Sequence, residues 1–145
     1  MLRACFRFLG CEIGWIQNPS ISRSCYRFFS SNKTWDDARS YCQNLEAELA
    51  SVSSNEINVF LTNLTQKGCW IGGYKEGSTW QWTDGSTWEY TNWGRGQPDN
   101  VGGIQDKLRF NFPFTGKWDD IEGDLYNPGL PFICEKQSGL YWISQ

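Results

Sequence analysis

Two short stretches carry the side chains best suited to chemistry: Gln97-Pro98-Asp99-Asn100 and, downstream, Trp118-Asp119-Asp120. Both supply carboxylate oxygens. A cis Gln97-Pro98 bond would let the side chains flanking the proline point the same way and share one ion. An all-oxygen donor set suits a hard cation, and calcium takes roughly 6 to 8 such ligands at about 2.3 to 2.6 Å. The chain contains no histidine, so acid-base catalysis would fall to the carboxylates. Asp119 and Asp120 are sequence neighbours on what reads as a strand, which sends their side chains to opposite faces. Nothing specifies the pair of facing carboxyls that a glycosidase needs. The site is expected to bind rather than turn over its ligand, and the chain is not expected to be an enzyme.

The rest of the chain must bring these stretches together. Its 145 residues suffice for one domain with one core. A net charge of -3 without any run of Lys or Arg excludes nucleic acid and anionic membrane as main partners, since both require a concentrated basic face. No apolar stretch reaches the roughly 18 to 20 residues of a bilayer span, so membrane insertion is not expected. Residues 1-10 are interrupted by Arg3 and Arg7 and too short for a signal peptide. Six cysteines without the close spacing of a zinc site read as a disulfide framework, which implies a secreted or extracellular protein. The sequons Asn32-Lys33-Thr34 and Asn63-Leu64-Thr65 agree with a glycoprotein.

Thr34 is placed to cap a helix, with Asp37 completing a variant capping box. Trp35, Ala38, Cys42, Leu45 and Leu49 follow on one face. Ser53 to Glu56 reads as a full capping box for a second helix with Ile57, Phe60, Leu61 and Leu64 inward, closed by Gly68. Beyond Cys69 the pattern becomes short aromatic strands: Trp70-Ile71-Gly72-Gly73, Trp80-Gln81-Trp82 and Lys107-Leu108-Arg109-Phe110.

Trp80-Gln81-Trp82-Thr83-Asp84-Gly85, Tyr90-Thr91-Asn92-Trp93, Gln97-Pro98-Asp99-Asn100, Trp118-Asp119-Asp120 and Phe132-Ile133-Cys134-Glu135, taken in order and spacing, resemble a C-type lectin-like domain. With Cys11 to Tyr26, Trp35 to Ser51 and Trp70-Ile71-Gly72, the resemblance covers about residues 11-136. It implies an α+β fold with two helices flanking short antiparallel sheets, a long loop region and disulfide links. Residues 1-10 are then an N-terminal extension and 137-145 a C-terminal tail. By this resemblance Cys11 pairs with Cys25, as in the family's long form, and Cys42 with Cys134. Cys5 and Cys69 remain: they can pair with each other, or Cys5 can link two chains into a homodimer. Trp70, Trp82 and Trp118 match core positions.

Carried over by position, the family's ion site falls on Gln97, Asp99, Gln105, Asp119 and Asp120, with Ca2+ as the cofactor. Gln97, Asp99, Gln105 and Asp119 would also hold the sugar, and Trp93 would stack on it. The Gln-Pro-Asp order resembles members that prefer galactose-type glycans, because it sets which side of the ion offers a donor amide and which an acceptor carboxylate. Three features depart from the family pattern. Gln105 stands for its glutamate and Asp119 for its asparagine, leaving Asp99, Asp119 and Asp120 as three carboxylates. Lys107 stands for a cysteine, so the disulfide that tethers the loops is missing. Val101-Gly102-Gly103 offers no ring. The expected function is a calcium-dependent lectin. The alternative is a protein-binding module on the same fold with a degraded calcium site.

Overall fold

The computed structural model describes residues 5-65, 67-113, 115-124 and 129-144, with the side chains of 5-8 and 141-144 outside the description. The fold is α+β, as expected. Strands β1 (Cys5–Gly10) and β2 (Ser24–Lys33) lead into helix α1 (Trp35–Asn44), strand β3 (Glu48–Leu49) and helix α2 (Asn55–Leu64). Strands β4 (Cys69–Glu76), β5 (Thr79–Trp82), β6 (Lys107–Phe110), β7 (Trp118–Ile121), β8 (Leu130–Gln137) and β9 (Gly139–Ser144) follow. The main sheet runs β2-β8-β4-β6-β7, with β3 added to β8 and β5 to β4. The segments expected to be extension and tail hydrogen-bond to each other: β1 and β9 form a separate antiparallel ribbon.

Helix α1 starts where Thr34 Oγ1 accepts the Asp37 amide at 3.2 Å, the capping geometry that orphan first-turn donors require. Trp35, Ala38 and Cys42 are buried along it. The inward stripe outlasts the helix, however. Glu46 adopts φ 56, the chain leaves helical geometry, and Leu49 reaches the core from β3 instead. The cap of α2 lies one residue later than the motif suggested, because Ser54 rather than Ser53 accepts the Ile57 amide, at 3.2 Å. Gly68 does not close that helix, which ends at Leu64 with Thr65 extended.

Two apolar clusters fill the domain. One packs α2 through Ile57 and Leu61 against Ile71, Trp82, Leu108 and Trp118. The other packs α1 against Trp15, Trp70 and Phe132. Trp70, Trp82 and Trp118 are all core residues, 0, 2 and 0 % exposed. Cys42 of α1 is bonded to Cys134 of β8 across 92 residues, a closure worth roughly 4 to 5 kcal/mol on the chain-entropy model. Cys11 is bonded to Cys25, closing the N-terminal hairpin whose turn is held by Ile21 and Ser22 amides donating to the Asn18 carbonyl. Cys69 is the exception to the sequence expectation: it is a free thiol, wholly buried, so it takes part in no disulfide with Cys5. Burial at the start of β4 shields it from any partner. The Cys5 side chain, and with it the interchain link, lies outside the described residues.

Candidate metal and sugar site

The loop that carries Gln97 hangs on the edge strand β7. The Gly94 amide donates to the Trp118 carbonyl at 2.8 Å, the Trp118 amide to the Asn92 carbonyl at 3.0 Å, and the Gln97 amide to the Gly94 carbonyl at 3.0 Å. The Gln97-Pro98 bond is cis. Asp120 then joins the two halves of the motif. Its Oδ1 accepts the Asp99 amide at 2.9 Å and its Oδ2 the Asn100 amide at 2.8 Å. Asp120 is 1 % exposed, so these charge-assisted bonds act in a medium where they are strong.

Beyond Asn100 the chain turns tightly through Val101–Gly103. Gly102 and Gly103 both take φ above +70°, conformations in which a Cβ would be strained. This turn brings Gln105 back to the loop's start. Gln105 Oε1 accepts the Val101 amide at 2.9 Å, and the Gln105 amide donates to Asn100 Oδ1 at 3.1 Å. Gln97 Nε2 donates to Asp99 Oδ2 at 3.3 Å. Gln97 Oε1 is buried and has no hydrogen-bond partner. Such an orphaned acceptor is costly unless something fills its lone pairs.

Gln97, Asp99, Gln105 and Asp120 are therefore linked through one loop. Asp119 is elsewhere engaged. Arg109 stands opposite it in the β6-β7 ladder and donates from Nε to Oδ1 at 2.9 Å and from Nη2 to Oδ2 at 2.5 Å. Both partners are buried, 8 and 7 % exposed. Burial pushes the Asp119 carboxyl above its usual range, Arg109 opposes this, and the carboxylates of Asp120 and Asp99 push it further up. The guanidinium also lies 3.5 Å from the centre of the Phe112 ring, and its stem runs along Gly68.

A hard divalent cation requires oxygen donors gathered around one point. Gln97, Asp99, Gln105 and Asp120 fit, since all offer oxygen and one of those oxygens is orphaned. Asp119 does not fit: it follows Trp118 in β7 and so faces away from Asp120, where it pairs with Arg109. Among the described residues no three His, Cys, Asp or Glu side chains are gathered to hold a metal. Two carboxylates and two amides make a weakly charged set.

Trp93, expected to stack on sugar, is partly buried, with its ring centre 4.9 Å from that of Trp80 and 5.7 Å from that of Trp118. Lys107, in place of a cysteine, bonds Asp106 at 2.8 Å and lies over the Trp35 ring. Val101 and Ile104, 62 and 55 % exposed, are apolar side chains on the same loop, and Ile104 had no part in the sequence reading. Arg109 was missed too. Its only sequence signal was a cation and an anion on neighbouring strands, meaningless until the register is known. A cleft of about 690 Å³ lies among Glu48, Asp84, Glu135 and Lys136 and is lined by none of the expected ion ligands.

The order of helices and strands, with the two disulfides, defines a C-type lectin type of domain. The family model described as "Lectin C-type domain" matches residues 31-136, and the chain belongs to that family. It is 39% identical over 136 residues to "Lectin" from Pleurodeles waltl, covering 86% of this chain and 75% of that one. It is 32% identical over 143 residues to asialoglycoprotein receptor 1 from Pongo abelii, covering 93% of this chain but only 45% of the receptor. Among solved structures it is similar to a calcium-independent type II antifreeze protein, with TM-score 0.81 and 26% identity, covering 91% of this chain and 98% of that one. No helix among the described residues is long and apolar enough to cross a membrane.

Proposed function

We propose that this is a secreted, calcium-dependent lectin for galactose-type sugars, a binding protein and not an enzyme. The observation that carries the proposal is Asp120, whose carboxylate accepts the amides of Asp99 and Asn100 at 2.9 and 2.8 Å and so makes one site of two distant motifs. Gln97, Asp99, Gln105 and Asp120 would hold calcium. When bound, the ion offers coordination positions to a pair of sugar hydroxyls. Gln97 and Gln105 contribute amide donors and Asp99 a carboxylate acceptor, the pairing that favours one arrangement of hydroxyls over another. Trp93 offers what remains of its partly buried ring, and Val101 and Ile104 border the sugar with apolar surface.

A second reading, a protein-binding module whose calcium site is degraded, is favoured by the Arg109 clamp on Asp119 and by Lys107 in place of a tethering cysteine. The likeness to a protein described as calcium-independent keeps it in view. Retention on immobilised galactose and mannose, each with calcium and with chelator, separates the two. The lectin reading expects retention on galactose that chelator releases. Passage through both columns in calcium would leave the protein-binding reading.

A further inference from the structure

We infer that Asn63 is a modification site, carrying an N-linked oligosaccharide whose first sugars lie on an apolar patch at the C-terminal end of α2. The inference rests on secretion in the reading above, and not on calcium or galactose. A sequon is a weak signal by itself. Both threonines have structural duties that would keep them without any glycan: Thr34 caps α1, and Thr65 Oγ1 donates to the Lys67 carbonyl at 3.0 Å while accepting the Lys67 amide at 3.1 Å.

The surroundings of Asn63 separate it from a chance match. It is exposed and forms part of the wall of two clefts, of about 400 and 310 Å³. Ile21, Val59 and Phe60 line the first, and Phe28 and Leu64 the second. Val59 and Phe60 precede Asn63 by one helical turn, so all three share a face of α2. Val59 is 49 % exposed, and Phe28 and Phe60 are only partly buried. Apolar surface of this kind is unfavourable in water, and the aliphatic face of a sugar ring anchored at Asn63 would cover it. Neither cleft is lined by Gln97, Asp99, Gln105 or Asp120, so the glycan leaves that loop open.

The bond formed joins Asn63 Nδ2 to the anomeric carbon of the first hexosamine. The bond broken runs from that carbon to the pyrophosphate of a lipid-linked oligosaccharide donor, which leaves with the electron pair while the amide proton passes to the transferase. Nothing is oxidised or reduced. Thr65 is 3 % exposed and its hydroxyl is engaged with Lys67, so the sequon can be read only before this segment packs. Transfer therefore precedes folding.

The test uses the full chain, led into the secretory pathway of cultured eukaryotic cells by a supplied signal sequence, as native protein, Asn32→Gln, Asn63→Gln, and Asn32→Gln with Val59→Ser. Peptide mass spectrometry after peptide-N-glycosidase treatment, which leaves aspartate where a glycan was attached, reads occupancy. Aspartate is expected at position 63 in every chain except Asn63→Gln. Enzymatic removal of the glycan from folded Asn32→Gln is expected to lower its melting midpoint by roughly 2 °C and to raise binding of the apolar-surface dye ANS. With Val59→Ser added, that melting shift should shrink by about half, because the two changes share one patch. The unmodified chain, refolded and given transferase and donor, should stay unmodified, and its modification would overturn the stated order of transfer and folding. An unmodified Asn63 in protein that reaches the medium with Cys11–Cys25 and Cys42–Cys134 formed would overturn the site and leave secretion standing. An occupied Asn63 whose deglycosylation alters neither melting nor dye binding would overturn the covered patch. Protein retained in the cells with its cysteines reduced would overturn secretion and the inference together.

Discussion

The loop from Gln97 to Gln105 and the hairpin of β6 and β7 adjoin each other and are built by opposite means. In the hairpin, Leu108, Phe110 and Trp118 are wholly buried, a backbone ladder joins the strands, and its charged pair is closed on itself. In the loop, Asp99, Asn100, Val101 and Ile104 are exposed, and side-chain oxygens of Asp120, Gln105 and Asn100 hold the backbone. A hydrophobic ladder gives rigidity without chemistry. Oxygens spent on holding a loop remain acceptors, and so the functional groups gather where the apolar packing ends.

This contrast is broken most severely in the hairpin. Trp118→Ala removes a buried ring and leaves Asn58 Oδ1 without the indole donor it now has at 2.8 Å. It is expected to cost about 3 to 5 kcal/mol in urea denaturation, and a loss under 1 kcal/mol would show that the hairpin is not the rigid half. Asp120→Ala is expected to act mainly on the loop. It costs roughly 1 to 3 kcal/mol for the lost acceptor and speeds hydrogen exchange at the Asp99 and Asn100 amides, while protection within β6 is retained. Equal loss of protection in both would abolish the distinction.

The smallest effect lies away from both regions and serves as a control. Burial pushes the Glu135 carboxyl above its ordinary value of 4.5, the Asp84 carboxylate adds to this, and Ser24 and Ser51 oppose it. A raised folded value means that the group's stabilisation is fully present below the unfolded value and is lost as pH rises through the folded one. Glu135→Gln should therefore gain stability relative to the native chain as pH rises above about 4.5, and thermal melts across that range measure it. A gain on acidification would reverse the sign and refute the burial argument. Loop and hairpin should respond to this substitution alike.

Much of the fold was legible because apolar spacing and aromatic punctuation are local. The strand Lys107 to Phe110 was read with its observed limits, and the cap at Thr34 was read correctly. Errors arose where tertiary pairing overrode the local pattern: the stripe through Leu49 continued as a strand because β8 offered it a partner, and the second cap slid from Ser53 to Ser54. The ion site was legible as composition and not as geometry. Three carboxylates were counted from Asp99, Asp119 and Asp120, yet strand alternation already implied that Asp119 and Asp120 diverge. That argument was applied to catalysis, where it weighs against a carboxyl pair, and it weighs equally against joint ligation. Which cation would meet Asp119 depended on the β6-β7 register, which no local pattern encodes.

Backbone and side-chain amide resonances followed during calcium titration to about 10 mM, above the ~10⁻⁴ to 10⁻³ M range of extracellular modules, test the central claim most directly. The Asp99 and Asn100 amides and the Gln97 and Gln105 side-chain amides should shift together along one binding curve, with the Arg109 Nε resonance still reporting its bond to Asp119. Shifts confined to the cleft around Asp84 and Glu135, or no shifts at all, would contradict the account.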